Sequence, residues 1–268
     1  MRQLKLPLRR ARPGDKMTVV QHLTELRTRI LVALAALLIA FVAMYAINGR
    51  IIDLLSAPLP DDQGDLVTLS PTEPFFTVIK VSFYAALIVS MPVILYQIYA
   101  YVIPAVADTS RRVMLVVVAG VSSLFLAGVA FGYYVVLPVA LGFLLDFGDG
   151  SFDTQLRAGE YYGFVSALLL GSGALFEVPI AMLAMARLGV ASADLYRKHW
   201  RIAVVIIATI AAVLPGGDPL SMILLMLPQL LLYWVGIQLA ARFGGTPLWM
   251  RESWAARDDD GSAPAEGS

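Results

Sequence analysis

The sequence has no cysteine and only two histidines, His22 and His199. Without thiols there are no disulfides, no thiolate nucleophile and no cysteine-held metal, and two distant histidines do not make an H-E-x-x-H zinc motif. No glycine is followed by lysine, which removes a phosphate loop of the G-x-x-x-x-G-K type, and no G-x-S-x-G elbow occurs. An intramembrane protease would need a serine with a histidine, or two aspartates, at membrane depth, and the sequence places neither there. No catalytic residue is therefore assigned, and no metal, cofactor or nucleic-acid partner is expected. Charge is also sparse, at 15% of residues against about 25% in an ordinary soluble domain.

Apolar side chains take the place of those groups. Hydrophobic residues make up 59% of the chain and the mean hydropathy is +0.75, so the chain belongs in a bilayer. Its first apolar run, Ile30 to Ile47, is too long for the core of a cleaved signal and reads as a retained first span. The net charge is zero, so orientation has to be read from where the cations fall. Residues 1–29 carry Arg2, Lys5, Arg9, Arg10, Arg12, Lys16, Arg27 and Arg29 against only Asp15 and Glu25. The loop 48–74 is acidic, the loop around Arg111 and Arg112 is basic, and the loop around Asp146, Asp149, Asp153 and Glu160 is acidic. Arg187, Arg197, Lys198 and Arg201, then Arg242, Arg251 and Arg257, are basic again. Every cation except Arg50, Lys80 and Arg157 falls on one side, the cytoplasmic one.

This alternation predicts an all-α polytopic membrane protein with six transmembrane helices and both termini cytoplasmic. Residues 1–29 form a basic tail with an amphipathic lead-in helix, in which Glu25 and Arg29 pair at i, i+4. Residues 30–241 form the six-helix domain, and residues 242–268 a cytoplasmic tail that is disordered at its end. Span two carries Pro92 and is expected to tilt or kink. Span three carries Gly128 and Gly132 at the spacing of a close packing face. Helices five and six are expected to be short, because Ile202 to Leu214 offers only about 20 Å at helical rise and Pro228 divides the run after it.

Span four contains the chain's most unusual residue. From Phe164 to Leu188 the ionisable side chains are Glu177, near the middle, and Arg187, at the end. An arginine at a span's end can snorkel, but Glu177 cannot. A lone charge there costs at least about 2.5–3.5 kcal/mol. Pro179 adds a bend, since its missing N–H leaves the Leu175 carbonyl open. Three readings stand: an acid satisfied inside its own bundle, a proton-coupled secondary transporter using Glu177, and a docking point for another chain. The sequence shows no internal repeat, no matching broken helix and no second acid at that depth, which weighs against transport.

His22-Leu23-Thr24-Glu25-Leu26-Arg27, Ser56-Ala57-Pro58-Leu59, Pro92-Val93-Ile94-Leu95-Tyr96-Gln97 and Phe176-Glu177-Val178-Pro179 together resemble the TatC family, membrane subunits of the twin-arginine translocase. The resemblance covers residues 18 to 245. It implies a receptor in the bacterial cytoplasmic membrane that binds twin-arginine signal peptides of folded precursors at the cytoplasmic face. It also implies recruitment of single-span partners of the TatA and TatB type, export driven by the protonmotive force, and self-association in a larger complex. The residues it points to for the signal peptide are Glu25, Arg27, Tyr101 and Asp108, and for a partner helix Glu177 and Pro179. Asp108 enters because Ser110 stands where family members commonly carry a glutamate. Trp234 likewise stands where an acid is often seen.

Overall fold

The structure, a computed structural model, describes residues 19–60, 66–102, 111–147, 155–214 and 219–245, and all the regular elements among them are helices. Helix α1 runs Val19–Ala46, α2 Asn48–Ser56, α3 Glu73–Val102 and α4 Arg111–Phe131, the last continuing through a wider π-turn at Gly132–Val136 into α5, Leu137–Asp146. Helices α6, Ala158–Phe176, and α7, Val178–Arg187, meet end to end. Then follow α8, Ala193–Lys198, α9, Trp200–Val213, and α10, Pro219–Phe243. Five stretches are long and apolar enough to cross a membrane, and α9, with 14 residues, is shorter.

Several expectations change at this point. The amphipathic lead-in and the first span are one unbroken helix of 28 residues, about 42 Å long. That exceeds a hydrocarbon core of about 30 Å, so the turn bearing Glu25 and Arg29 projects past one end. Helix α10 is not short. It carries Pro228 within 25 continuous residues, because one carbonyl left without its helical N–H, that of Leu224, is tolerated where neighbouring helices cover it. Pro92 is likewise held inside α3. Only α9 keeps the short length expected of it. The loop 48–74 contains α2, whose buried Leu55 faces the core.

Tyrosines hold α2 in place. Its last carbonyls have no helical donor, and the Tyr133 hydroxyl donates to Leu54 O at 2.7 Å and the Tyr161 hydroxyl to Leu55 O at 2.7 Å. The Ser56 and Tyr162 hydroxyls share a third bond. Beside them, Glu73 joins the start of α3 to the start of α6. Its Oε1 accepts from Arg157 Nε at 2.9 Å and Gly159 N at 3.1 Å, and its Oε2 accepts from Leu69 N at 2.9 Å. The Glu73 carboxylate in turn holds the Arg157 guanidinium above its ordinary value. A parallel bridge between Val67 and Arg157 completes this end.

The core lies in two clusters. One gathers Val81, Val136, Leu137, Leu141, Val165, Leu168 and Leu225, and the other Leu95, Tyr99, Val121 and Phe125. Between α4 and α6 the approach is too close for side chains, as the Gly128 and Gly132 spacing predicts. A methyl group at Gly128 would stand 2.6 Å from the Ser172 carbonyl oxygen and 2.9 Å from Gly173 Cα. Neither neighbour is a flexible side-chain end, so the helices would have to part.

Gly128→Ala should lower the thermal stability of the purified protein by about 1–3 kcal/mol through overpacking. Gly120→Ala, where nothing lies within 4 Å, should leave it unchanged or slightly raised. Equal behaviour of the two variants in a thermal unfolding assay would contradict the close α4–α6 contact.

Candidate functional site

At one end of the bundle the projecting turn of α1 packs against the last turns of α3. The two helices share an extensive face, and at its end the His22 ring stacks on the Tyr101 ring with centroids 4.3 Å apart and planes 12° apart. Glu25 lies one turn along α1 from His22. Arg29 donates from Nε at 3.0 Å and from Nη2 at 2.5 Å, both to Glu25 Oε1. The expected i, i+4 pair is therefore formed, and among the described residues Oε2 accepts no bond. A small cavity of 140 Å³ separates the helices here, lined by Arg29, Gln97 and Tyr101 with apolar neighbours. The structure thus brings Glu25 and Tyr101 to one place. Arg27 is exposed and lies about 200° round the helix from Glu25. Asp108 lies outside the described residues, as does Ser110. His22 and Gln97 belong to this face too, and their signal in the sequence was their place in the motifs that also contain Glu25 and Pro92.

Glu177 occupies the joint between α6 and α7. Its φ and ψ of −76° and −9° depart from the flanking helices, its N–H turns to Ala174 O at 3.2 Å, and its carbonyl accepts from Ile180 and Ala181. Pro179 causes this break and is itself fully buried. Gly236 of α10 packs on it so closely that a methyl group there would lie 3.1 Å from Pro179 Cα. Glu177 as a whole residue is half-buried, but both side-chain oxygens are buried and have no hydrogen-bond partner. The Tyr99 phenol on α3 lies within electrostatic reach of the carboxyl. The reading in which the carboxyl is satisfied inside its own bundle is not met among the described residues.

Below this joint α7 is firmly anchored. The Tyr196 hydroxyl donates to Met182 O at 3.2 Å, the Tyr233 hydroxyl donates to Tyr196 O at 2.9 Å, and Arg187 bonds to Phe243 O. Burial pushes the Tyr196 phenol above its ordinary value. Trp234, next to Tyr233, turns the other way and is exposed. Among the described residues no group of side chains could hold a metal ion.

A family model described as Sec-independent protein translocase protein (TatC) matches residues 21–228. The chain belongs to the TatC family. It is similar to the chloroplastic TATC of Arabidopsis thaliana, 38% identical over 229 residues that make up 85% of this chain and 67% of the relative. It is 32% identical to TatC of Helicobacter pylori strain J99 over 84% of this chain and 90% of the relative. TatCd of Bacillus subtilis is 34% identical over 83% and 91%. Among solved structures, one described as the twin arginine translocase receptor TatC superposes with a TM-score of 0.72 at 33% identity, covering 82% of this chain and 97% of that one. A second, of the receptor in detergent, gives 0.74. The chain is accordingly a multi-pass membrane subunit of the Sec-independent protein translocase, of the receptor type and not an enzyme. The transporter reading of Glu177 finds no support in these likenesses.

A carboxyl desolvated without a partner lowers the stability of the chain that holds it, by about 1–3 kcal/mol. Glu177→Leu should therefore raise the unfolding temperature of the isolated protein in detergent. An unchanged or lower temperature would mean that the carboxyl has a partner within the chain.

Proposed function

We propose that this chain binds the twin-arginine signal peptides of folded precursors at the cytoplasmic face. It then recruits TatA- and TatB-type single-span partners, within a larger complex that includes further copies of itself, for export driven by the protonmotive force. The observation that carries the reading is the meeting of Glu25 and Tyr101, residues far apart in the chain, at the end of α1 and α3. Two arginines of a peptide need carboxylate acceptors. Glu25 offers Oε2 without breaking its pair with Arg29, the stacked His22 and Tyr101 rings offer an apolar floor beside it, and Asp108 would supply the second acid. The peptide would cross the projecting end of α1, with Arg27 on its far side.

In the same reading residues 1–29 and 242–268 are cytoplasmic tails, residues 30–241 are the membrane domain, and the membrane is the bacterial cytoplasmic one. Six helices cross it, with α9 meeting a locally thinned bilayer. The bias of cations to one end supports this orientation.

Glu177 supplies the docking point for a partner helix. Its oxygens, unbonded within the chain, would accept or share a hydrogen bond with a polar side chain in the partner's span. Such bonds average about 0.6 to 2 kcal/mol in membranes, a strength suited to reversible recruitment. Pro179 contributes through the bend, since its ring is covered by α10.

Crosslinking of the intact translocase to a twin-arginine peptide should fall about tenfold in Glu25→Ala, the effect of one lost charge-assisted bond; an undiminished crosslink would move the receptor site elsewhere. In export of a twin-arginine reporter, Glu177→Leu should be inactive and Glu177→Gln partly active. Full activity of the leucine variant would sink the docking role, and full activity of the glutamine variant would show that ionisation is not needed.

A further inference from the structure

The end of the bundle opposite Glu25 and Tyr101 holds a second polar site. The first turns of α3 and α6 lie side by side there, over an open cavity of 390 Å³ lined by Thr72, Glu73, Phe76, Thr77, Lys80 and Arg157. Glu73 is fully engaged by Arg157 and by backbone N–H groups. Glu160, on the exposed rim, takes the other arm of Arg157 at 3.3 Å. Two carboxylates thus share one guanidinium. Lys80 is left over, with no hydrogen bond or ion pair to any described residue. The two converging helix N-termini each add the equivalent of about half a positive charge. The formal charges of the lining then sum to zero, and the Lys80 ammonium is the one cation of the described lining that no acid engages.

A second observation points to a ligand. Thr77 is more than nine-tenths buried, yet its hydroxyl has no partner among the described residues and faces the cavity beside Gly159. A methyl group at Gly159 would come within 3.4 Å of Thr77 Oγ1 and 2.9 Å of Glu73 Oε1, so the glycine keeps this wall open. Lys80 sits seven residues into α3, about 10 Å from its first turn. Helical side chains lean toward the N-terminus, which carries the ammonium back toward the cavity, past Gly163.

We propose that this cavity binds the phosphate of an anionic phospholipid, with Lys80 and the Thr77 hydroxyl meeting the phosphate oxygens and the acyl chains running inward along α3. Two features favour a lipid over a soluble anion. Lys80 lies inside an apolar span, where a free ion would have to leave water to reach it, and Phe76, which lines the same cavity, is 61% exposed. A headgroup bearing an amine would bring an ammonium toward Lys80 and Arg157, so a phosphodiester without one fits best.

The test uses the full chain purified in detergent, stripped of lipid and supplied with phosphatidylglycerol, with retained lipid read by native mass spectrometry. Wild type and Lys80→Arg should retain it. Lys80→Gln should retain about tenfold less, the worth of one charge-assisted contact, and Thr77→Val should show a smaller loss. Equal retention by Lys80→Gln, or equal retention by wild type of diacylglycerol with the same chains, would overturn the proposal. Displacement of the lipid by millimolar inorganic phosphate would also overturn it, by showing that the site takes the free anion.

Discussion

In hydrocarbon a polar group without a hydrogen-bond partner costs several kcal/mol, and much of this protein's architecture follows from meeting that demand. Backbone groups are satisfied inside helices. Where helices end or break, specific side chains step in: tyrosines take the last carbonyls of α2, Glu73 takes three N–H donors at the starts of α3 and α6, and Tyr196, Tyr233 and Arg187 take carbonyls around α7. The described ends of the bundle are closed by such bonds. The Glu177 carboxyl, at the joint in the middle, departs from the pattern and is the ionisable one among the described buried groups that do, the others being the Gln229 amide and serine hydroxyls such as those of Ser82, Ser166 and Ser172.

That contrast gives the joint its meaning. Close packing of Gly236 on Pro179, and of Gly128 and Gly132 on the turn at Ser172, holds α6 and α7 between α4 and α10 with little room to rearrange. The carboxyl is thus presented by a rigid frame and not by a flexible loop. A group fixed in that way, costly to the isolated chain, is suited to recognise another chain's polar residue.

The two ends of the molecule do different work. One brings an acid, a guanidinium and two stacked rings together on α1 and α3; the other sets Glu73 and Glu160 against Arg157 and leaves the Lys80 ammonium without an ion pair among the described residues. Both depend on helices that overrun the apolar thickness, so that side chains one or two turns from an end can reach the interface.

Much of this was legible in the chain itself. Alternating charge bias is the ground for the expected placement of the loops. The 3.6-residue period fixes the Glu25–Arg29 pair, small-residue spacing marks the α4–α6 contact, and the lone acid in an apolar run marks Glu177. Each is a local or statistical property that one segment carries alone. The sequence did not disclose α2, the unbroken course of α10 through Pro228, the stacking of His22 on Tyr101, or the cavity between Thr77 and Lys80. Those depend on neighbours distant in the chain: a proline is kept within a helix when other helices cover the gap it leaves, and two rings stack only once α1 and α3 lie together. Residue type and spacing therefore determined the number of apolar segments and the identity of the costly group, while tertiary packing alone decided which polar groups found partners and which did not.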